Sequence, residues 1–243
     1  MFPLSDDNPR ETSPVVTWGL IGACVLAFLW QLSLGPAGEA AFYGFGMIPA
    51  RLFGDAELPV GIPSVSPSAT LFTSMFMHGG LLHLGGNMLF LWIFGDNVED
   101  SMGHVRFLVF YLVCGVAAAL AQAWIDPTST IPVVGASGAI SGVLGAYILL
   151  HPRATVRTLV ILGFFVTVIH IPAMIVLGLW FAMQFFSAFA TPVGDGGVAF
   201  WAHVGGFIAG VVLVSFFKKR DVGLWQQPRS RAFELEKRQG PWG

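Results

Sequence analysis

The chain has 243 residues, of which 55% are hydrophobic and 11% charged, with a formal net charge of −2 and a mean hydropathy of +0.72. A soluble domain of this length cannot hide so much apolar surface, so the composition excludes one and points to a polytopic membrane protein. The near-neutral charge argues against nucleic acid as a partner.

A helix needs about 20 apolar residues to cross a bilayer. Residues 15–34 are the first such run, and 81–98 follow the break at Gly79-Gly80. Residues 105–124, 133–150, 171–190 and 198–217 complete an expected all-α bundle of six spans. The chain then divides into a segment 1–14, a six-span domain 15–217 and a tail 218–243. Residues 158–170 are too short to cross, and Pro172 limits helix just before itself, so an interfacial or re-entrant segment is expected there. The 35–70 loop carries "AFYGFGMIPARLFG", a mixture of aromatics, Gly and one Arg that suits the outer interface.

Six spans put residues 1–14, the loops after spans 2 and 4, and the tail on one side. That side holds eleven of the twelve Lys and Arg residues, and the other holds Arg51 alone. The positive-inside rule then places both termini in the cytoplasm. The residues before the first run resemble neither a signal peptide nor a transit peptide, so a bacterial or archaeal plasma membrane is expected. Cys24 and Cys114 lie inside spans, where small apolar packing is the default reading.

Spans 2, 4 and 6 enter from the outer side under this topology. Ser137 and His203 each fall roughly 6–8 Å below the start of their helix, at about 1.5 Å per residue. His83 and Asn87 fall within the first two turns of span 2 and share a face at i, i+4. A lone serine in a membrane helix ordinarily bonds a carbonyl, and a lone Asn glues helices. Four polar side chains from three spans at one depth instead suggest a site, because polar groups there are costly and face a cavity or a partner. Ser137, Ser141 and Gly145 form one small-residue strip, and His203, Gly206 and Gly210 another. Such strips let membrane helices approach backbone to backbone, close enough for His203 to reach Ser137. His78 precedes the helix and is even between structure and function. His104 and His151 are expected to be solvated at span ends. Glu99 and Asp100 are expected to snorkel or to bond Arg106.

A serine hydroxyl needs a base to take its proton, and a neutral imidazole serves at neutral pH. The oxyanion formed by attack on an amide needs donors, for which His83, the Asn87 amide and the Ser137 backbone N–H are candidates. No acidic residue accompanies the cluster, so a dyad is expected rather than a triad. The loop 191–197, with three glycines, is a candidate gate for water and substrate.

At these residues the chain resembles the rhomboid family of intramembrane serine proteases, of the bacterial six-span type. The resemblance rests on "HGGLLHLGGN" with His78, His83 and Asn87, on "GASG" ending at Gly138, on "AHVGGFIAG" with His203, and on "GDNVEDSMG" with Gly95, Glu99 and Gly103. It implies Ser137 as nucleophile, His203 as base, and His83 and Asn87 as oxyanion donors, with His78 structural or on the substrate side. It also implies cleavage of transmembrane protein substrates in the lipid bilayer near its outer face, with no cofactor and no metal. A catalytically silent relative that binds transmembrane helices as an adaptor or chaperone is the alternative. Two positions depart from the family's pattern: Arg51 follows Ala50 where some relatives have Trp-Arg, and Ser141 stands where some carry an aromatic that stacks on the histidine.

Overall fold

The structure, a computed structural model, describes residues 2–192 and 197–228. It is mostly helical: α1 (Val15–Ser33), α2 (Gly38–Phe45), α3 (Pro49–Phe53), α4 (Pro67–Thr73), α5 (Leu81–Met102), α6 (His104–Ile125), α7 (Ser137–Leu150), α8 (Ala173–Ala190) and α9 (Phe200–Phe217). Four of these, α1, α6, α8 and α9, are long and apolar enough to cross a membrane, and α7 is a shorter apolar helix of 14 residues. The 35–70 region folds into α2, α3 and the start of α4 rather than into open loop. The centre of the 191–197 loop and the tail beyond residue 228 lie outside the described residues.

The helix α7 is the axis of the bundle, buried at every position from Gly138 to Tyr147. Its glycines explain how α9 comes so close. A Cβ on Gly206 would lie 2.0 Å from the Gly138 carbonyl oxygen, and one on Gly210 would lie 2.0 Å from that of Gly142. A Cβ on Gly142 would in turn meet Cys114 at 2.4 Å, so α6 closes the other flank of α7. The close approach expected of the two strips is present, made on α9 by Gly206 and Gly210 and on α7 by Gly145 together with Gly138 and Gly142 beside the strip.

α5 and α6 are joined by Gly103 alone, at φ +83, a left-handed conformation that lets the chain reverse between them. Just before this turn, fully buried Glu99 accepts from the backbone N–H groups of Val16 (2.9 Å) and Thr17 (2.8 Å) and from the Thr17 hydroxyl (2.7 Å). It therefore caps α1, satisfying N–H groups that have no partner within the helix and placing a carboxylate at the positive end of its dipole. The oxygen that accepts from Val16, Oε1, also lies 2.6 Å from His104 Nδ1. Snorkelling and a bond to Arg106 are corrected by this geometry, because the carboxylate's partners come from the first turn of α1 and from His104. His151 is likewise buried, with Nε2 3.2 Å from the Ser101 hydroxyl, rather than solvated.

The all-α expectation needs one correction. Residues 2–6, 155–162 and 165–172 form a three-stranded antiparallel sheet, β1 (Phe2–Asp6), β2 (Thr155–Leu162) and β3 (Phe165–Pro172), in the order β1-β2-β3. The 158–170 segment is therefore most of a β-hairpin. Its residues, TVRTLVIL and FVTVIHIP, are dense in β-branched side chains, which favour pleated backbone over helix. The sheet lies at the end of the bundle where α7 stops and α8 starts, opposite the end where α7 and α9 begin.

Candidate active site

The "GASG" turn has a conformational reason for its first glycine. Gly135 sits at φ +126, and a Cβ there would lie 2.8 Å from the His83 ring. Its N–H donates to the Ser74 carbonyl (2.9 Å), pinning the turn to the end of α4. Two residues later Ser137 opens α7, so its backbone N–H belongs to the first turn, where no carbonyl within the helix can accept. Glycine is present here so that an imidazole can stand beside the start of a helix.

Ser137 Oγ and His203 Nε2 are 2.8 Å apart, a hydrogen bond across the contact between α7 and α9. His203 is buried and Ser137 is half-buried. The His203 Nδ1 is 2.7 Å from Gln184 Oε1 on α8. Ring neighbours hold the imidazole on two further sides: Trp180 of α8 at 5.9 Å between centroids, and Phe200 one turn earlier on α9 at 6.4 Å and perpendicular. Ser141 has no part in this, since its hydroxyl donates back to the Ser137 carbonyl (2.6 Å).

His83 and Asn87 separate. The Gly79 N–H donates to His83 Nδ1 (3.2 Å), so the neutral ring carries its proton on Nε2, the atom that faces Gly135. Asn87 donates its amide to the His83 carbonyl (2.8 Å) and so bonds its own helix one turn back. Of the two, His83 lines the cavity above Ser137. His78 is wholly buried and away from that cavity. Its backbone N–H and carbonyl both bond the Gln31 side chain of α1, and its Nδ1 is 3.1 Å from the Phe76 carbonyl. Burial first, and then neighbouring His83, push its imidazole down to about 4, so it is neutral at physiological pH. It belongs to the packing of α1 against the loop before α5.

The cavity has a volume of about 590 Å³ and reaches Ser137, His203 and His83 together. Its other walls include Gln122 and Asp126 at the end of α6, Ala188 near the end of α8 and Trp201 at the start of α9. The Gln122 side chain accepts from the Ala202 N–H (3.2 Å), fixing the start of α9 beside α6. These helix ends share one face of the bundle, opposite the sheet. The recess offers a serine hydroxyl on a basic nitrogen, with an imidazole N–H and a helix-start N–H nearby.

Gln184 was not singled out in the sequence, although a signal was there. In "AMIVLGLWFAMQFFSAFA" it is the one amide in a helix otherwise fit for lipid. Such a residue calls for a buried partner. Its partner is 19 residues away on another helix, so spacing could not name it.

A family model described as Rhomboid domain matches residues 67–220, which include the serine, both cavity-lining histidines and Gln184. Rhomboid protease GluP of Bacillus subtilis is 34% identical over 228 residues, covering 92% of this chain and 37% of that protein. RHOMBOID-like protein 6, mitochondrial, of Arabidopsis thaliana is 32% identical over 133 residues, 55% of this chain and 42% of that protein. Inactive rhomboid protein 1 of Drosophila melanogaster is 38% identical over 80 residues, a third of this chain and 6% of its own length. The chain thus spans less than half the length of these relatives. With a family model over well over half of its residues and apolar helices throughout, the chain is a membrane protein of the rhomboid family.

Proposed function

We propose that the protein is an intramembrane serine endopeptidase that hydrolyses peptide bonds in or near transmembrane segments by a Ser137–His203 dyad. The observation that carries this reading is the 2.8 Å bond between Ser137 Oγ and His203 Nε2 at the floor of the cavity. A relative named as a protease matches 92% of the chain and supports it. Another relative is named inactive, so the family alone does not decide activity and the dyad's geometry bears the weight.

Ser137 Oγ attacks the substrate carbonyl carbon while its proton passes to His203 Nε2. The carbonyl oxygen becomes an oxyanion facing His83 Nε2–H and the Ser137 backbone N–H. The tetrahedral intermediate collapses, the C–N bond breaks, and His203 gives its proton to the leaving amine. Water then attacks the acyl ester, losing its proton to His203, and Ser137 leaves as the free hydroxyl. One water is consumed per bond cut.

We further read α5 and α7 as spans, making six with α1, α6, α8 and α9, within a six-span domain 15–217 whose flanking segments 1–14 and 218–243 lie in the cytoplasm. The distribution of basic residues supports this. Arg10, Arg106, Arg153, Arg157 and Lys218-Lys219-Arg220 gather at the sheet end, against Arg51 at the cavity end. The cavity then opens to the outer face of a plasma membrane.

The test is cleavage of a panel of single-span reporters, each with small residues near the outer end of its helix and a Gly or Pro below, by protein reconstituted in liposomes. Cutting by wild type but not by Ser137→Ala supports the reading. Reporter helices that bind but stay uncut across the panel would favour the adaptor instead.

A further inference from the structure

An imidazole that accepts a serine proton at Nε2 must carry its own proton at Nδ1, and a buried N–H without an acceptor is costly. Here the acceptor comes from α8. Gln184 is buried, and its Oε1 lies 2.7 Å from His203 Nδ1. The arrangement is linear in function: Gln184 Oε1 accepts from Nδ1–H, and Nε2 accepts from Ser137 Oγ–H. Rings alone cannot do this. Trp180 and Phe200 restrict rotation of the imidazole but offer Nδ1 no acceptor lone pair.

Granted the dyad reading above, we infer that Gln184 is the positioning residue of the catalytic histidine, a neutral third member that fixes its tautomer and ring plane. It fills the orienting part of the aspartate's role in a Ser-His-Asp triad, without bringing a charge to the imidazolium. It also makes good the place where Ser141 stands instead of an aromatic. The side chain comes from the least buried of the four long apolar helices. One turn on, Ala188 of the same face lines the cavity. The bond therefore ties the base to the cavity wall on the α8 side, and the dyad is aligned when α8 is seated against α9.

The test is the rate of inactivation by a fluorophosphonate in detergent, with the maximal rate separated from half-saturating concentration. Gln184→Met keeps length and shape but removes the acceptor. It should lower the maximal rate about 10- to 100-fold and leave half-saturation unchanged. The loss goes no further than the lower limit of the roughly 10²–10⁴ that general-base help supplies, because the base is misaligned rather than removed. Gln184→Glu restores an acceptor at the same reach and should recover most of the rate. Gln184→Asn keeps an amide in α8 but falls one methylene short, so it should be as slow as Met; it decides the matter if the Met variant does not fold. A folded Met or Asn variant that is inactivated like wild type would overturn the role and leave Gln184 as helix glue. A wild type that does not react at all would instead fail the dyad reading, and the positioning role would fall with it.

Discussion

Gly206 and Gly138 touch through their backbones, so closely that a Cβ on Gly206 would stand 2.0 Å from the Gly138 carbonyl oxygen. That contact sets the distance between α7 and α9, and with it the reach from His203 to Ser137. Gly206→Ala should force the helices apart, costing about 3 kcal/mol, and abolish reaction at Ser137. Gly86→Ala, on a face of α5 with open space around the new methyl, should be neutral or stabilising by up to about 1 kcal/mol. Thermal unfolding in detergent beside labelling of the serine checks both.

His83 and Asn87, paired in the sequence, should part in mutagenesis. His83→Ala removes the imidazole N–H beside Ser137 and should slow the reaction by about 100-fold or more, out of proportion to the small loss of stability from the Gly79 bond it also removes. Asn87→Ala removes a bond to the His83 carbonyl and should lower the unfolding temperature with a smaller effect on rate. A rate loss at Asn87 equal to that at His83 would put both amide and imidazole on the oxyanion.

Much of this site could be read from the chain because its parts recur at helical spacing: Ser137, Ser141 and Gly145 on one strip, His203, Gly206 and Gly210 on the other. Topology then brought them to one depth. What could not be read depends on partners with no periodic relation to each other. Glu99 reaches α1 more than eighty residues earlier, and Gln184 reaches His203 from a neighbouring helix. The hairpin at 155–172 was hidden differently. Its density of β-branched residues was visible, but its hydropathy matched that of the spans beside it, and its partner β1 lies about 150 residues earlier, at Phe2–Asp6.

Glu99→Ala should destabilise the fold by about 3 kcal/mol, since it leaves the start of α1 uncapped in a buried setting. Glu99→Gln keeps an acceptor oxygen and should lose less. Unfolding in detergent separates the two, and equal stability of the alanine variant would show that water replaces the cap.

The N-terminal strand should respond to pH. Tyr147 of α7 donates its hydroxyl to Asp6 Oδ2. Burial above all, with Asp96 and Asp7 nearby, pushes the Asp6 carboxyl up to about 7 despite that bond. The folded chain thus holds this proton more tightly than the unfolded chain, whose carboxyl titrates at about 3.9. Between about pH 4 and about pH 7 unfolding releases it, so this contribution to stability is full below that window and is lost as pH rises through it. Asp6→Asn should flatten the slope of unfolding temperature against pH and raise stability at about pH 8 relative to wild type.

The most direct measurement is labelling of the purified protein by a fluorescent fluorophosphonate, beside Ser137→Ala and His203→Ala, with the adduct located by peptide mass. Wild type should be labelled on Ser137, and folded samples of both variants should stay dark. Labelling that survives Ser137→Ala, or a folded wild type that never reacts, would contradict the dyad.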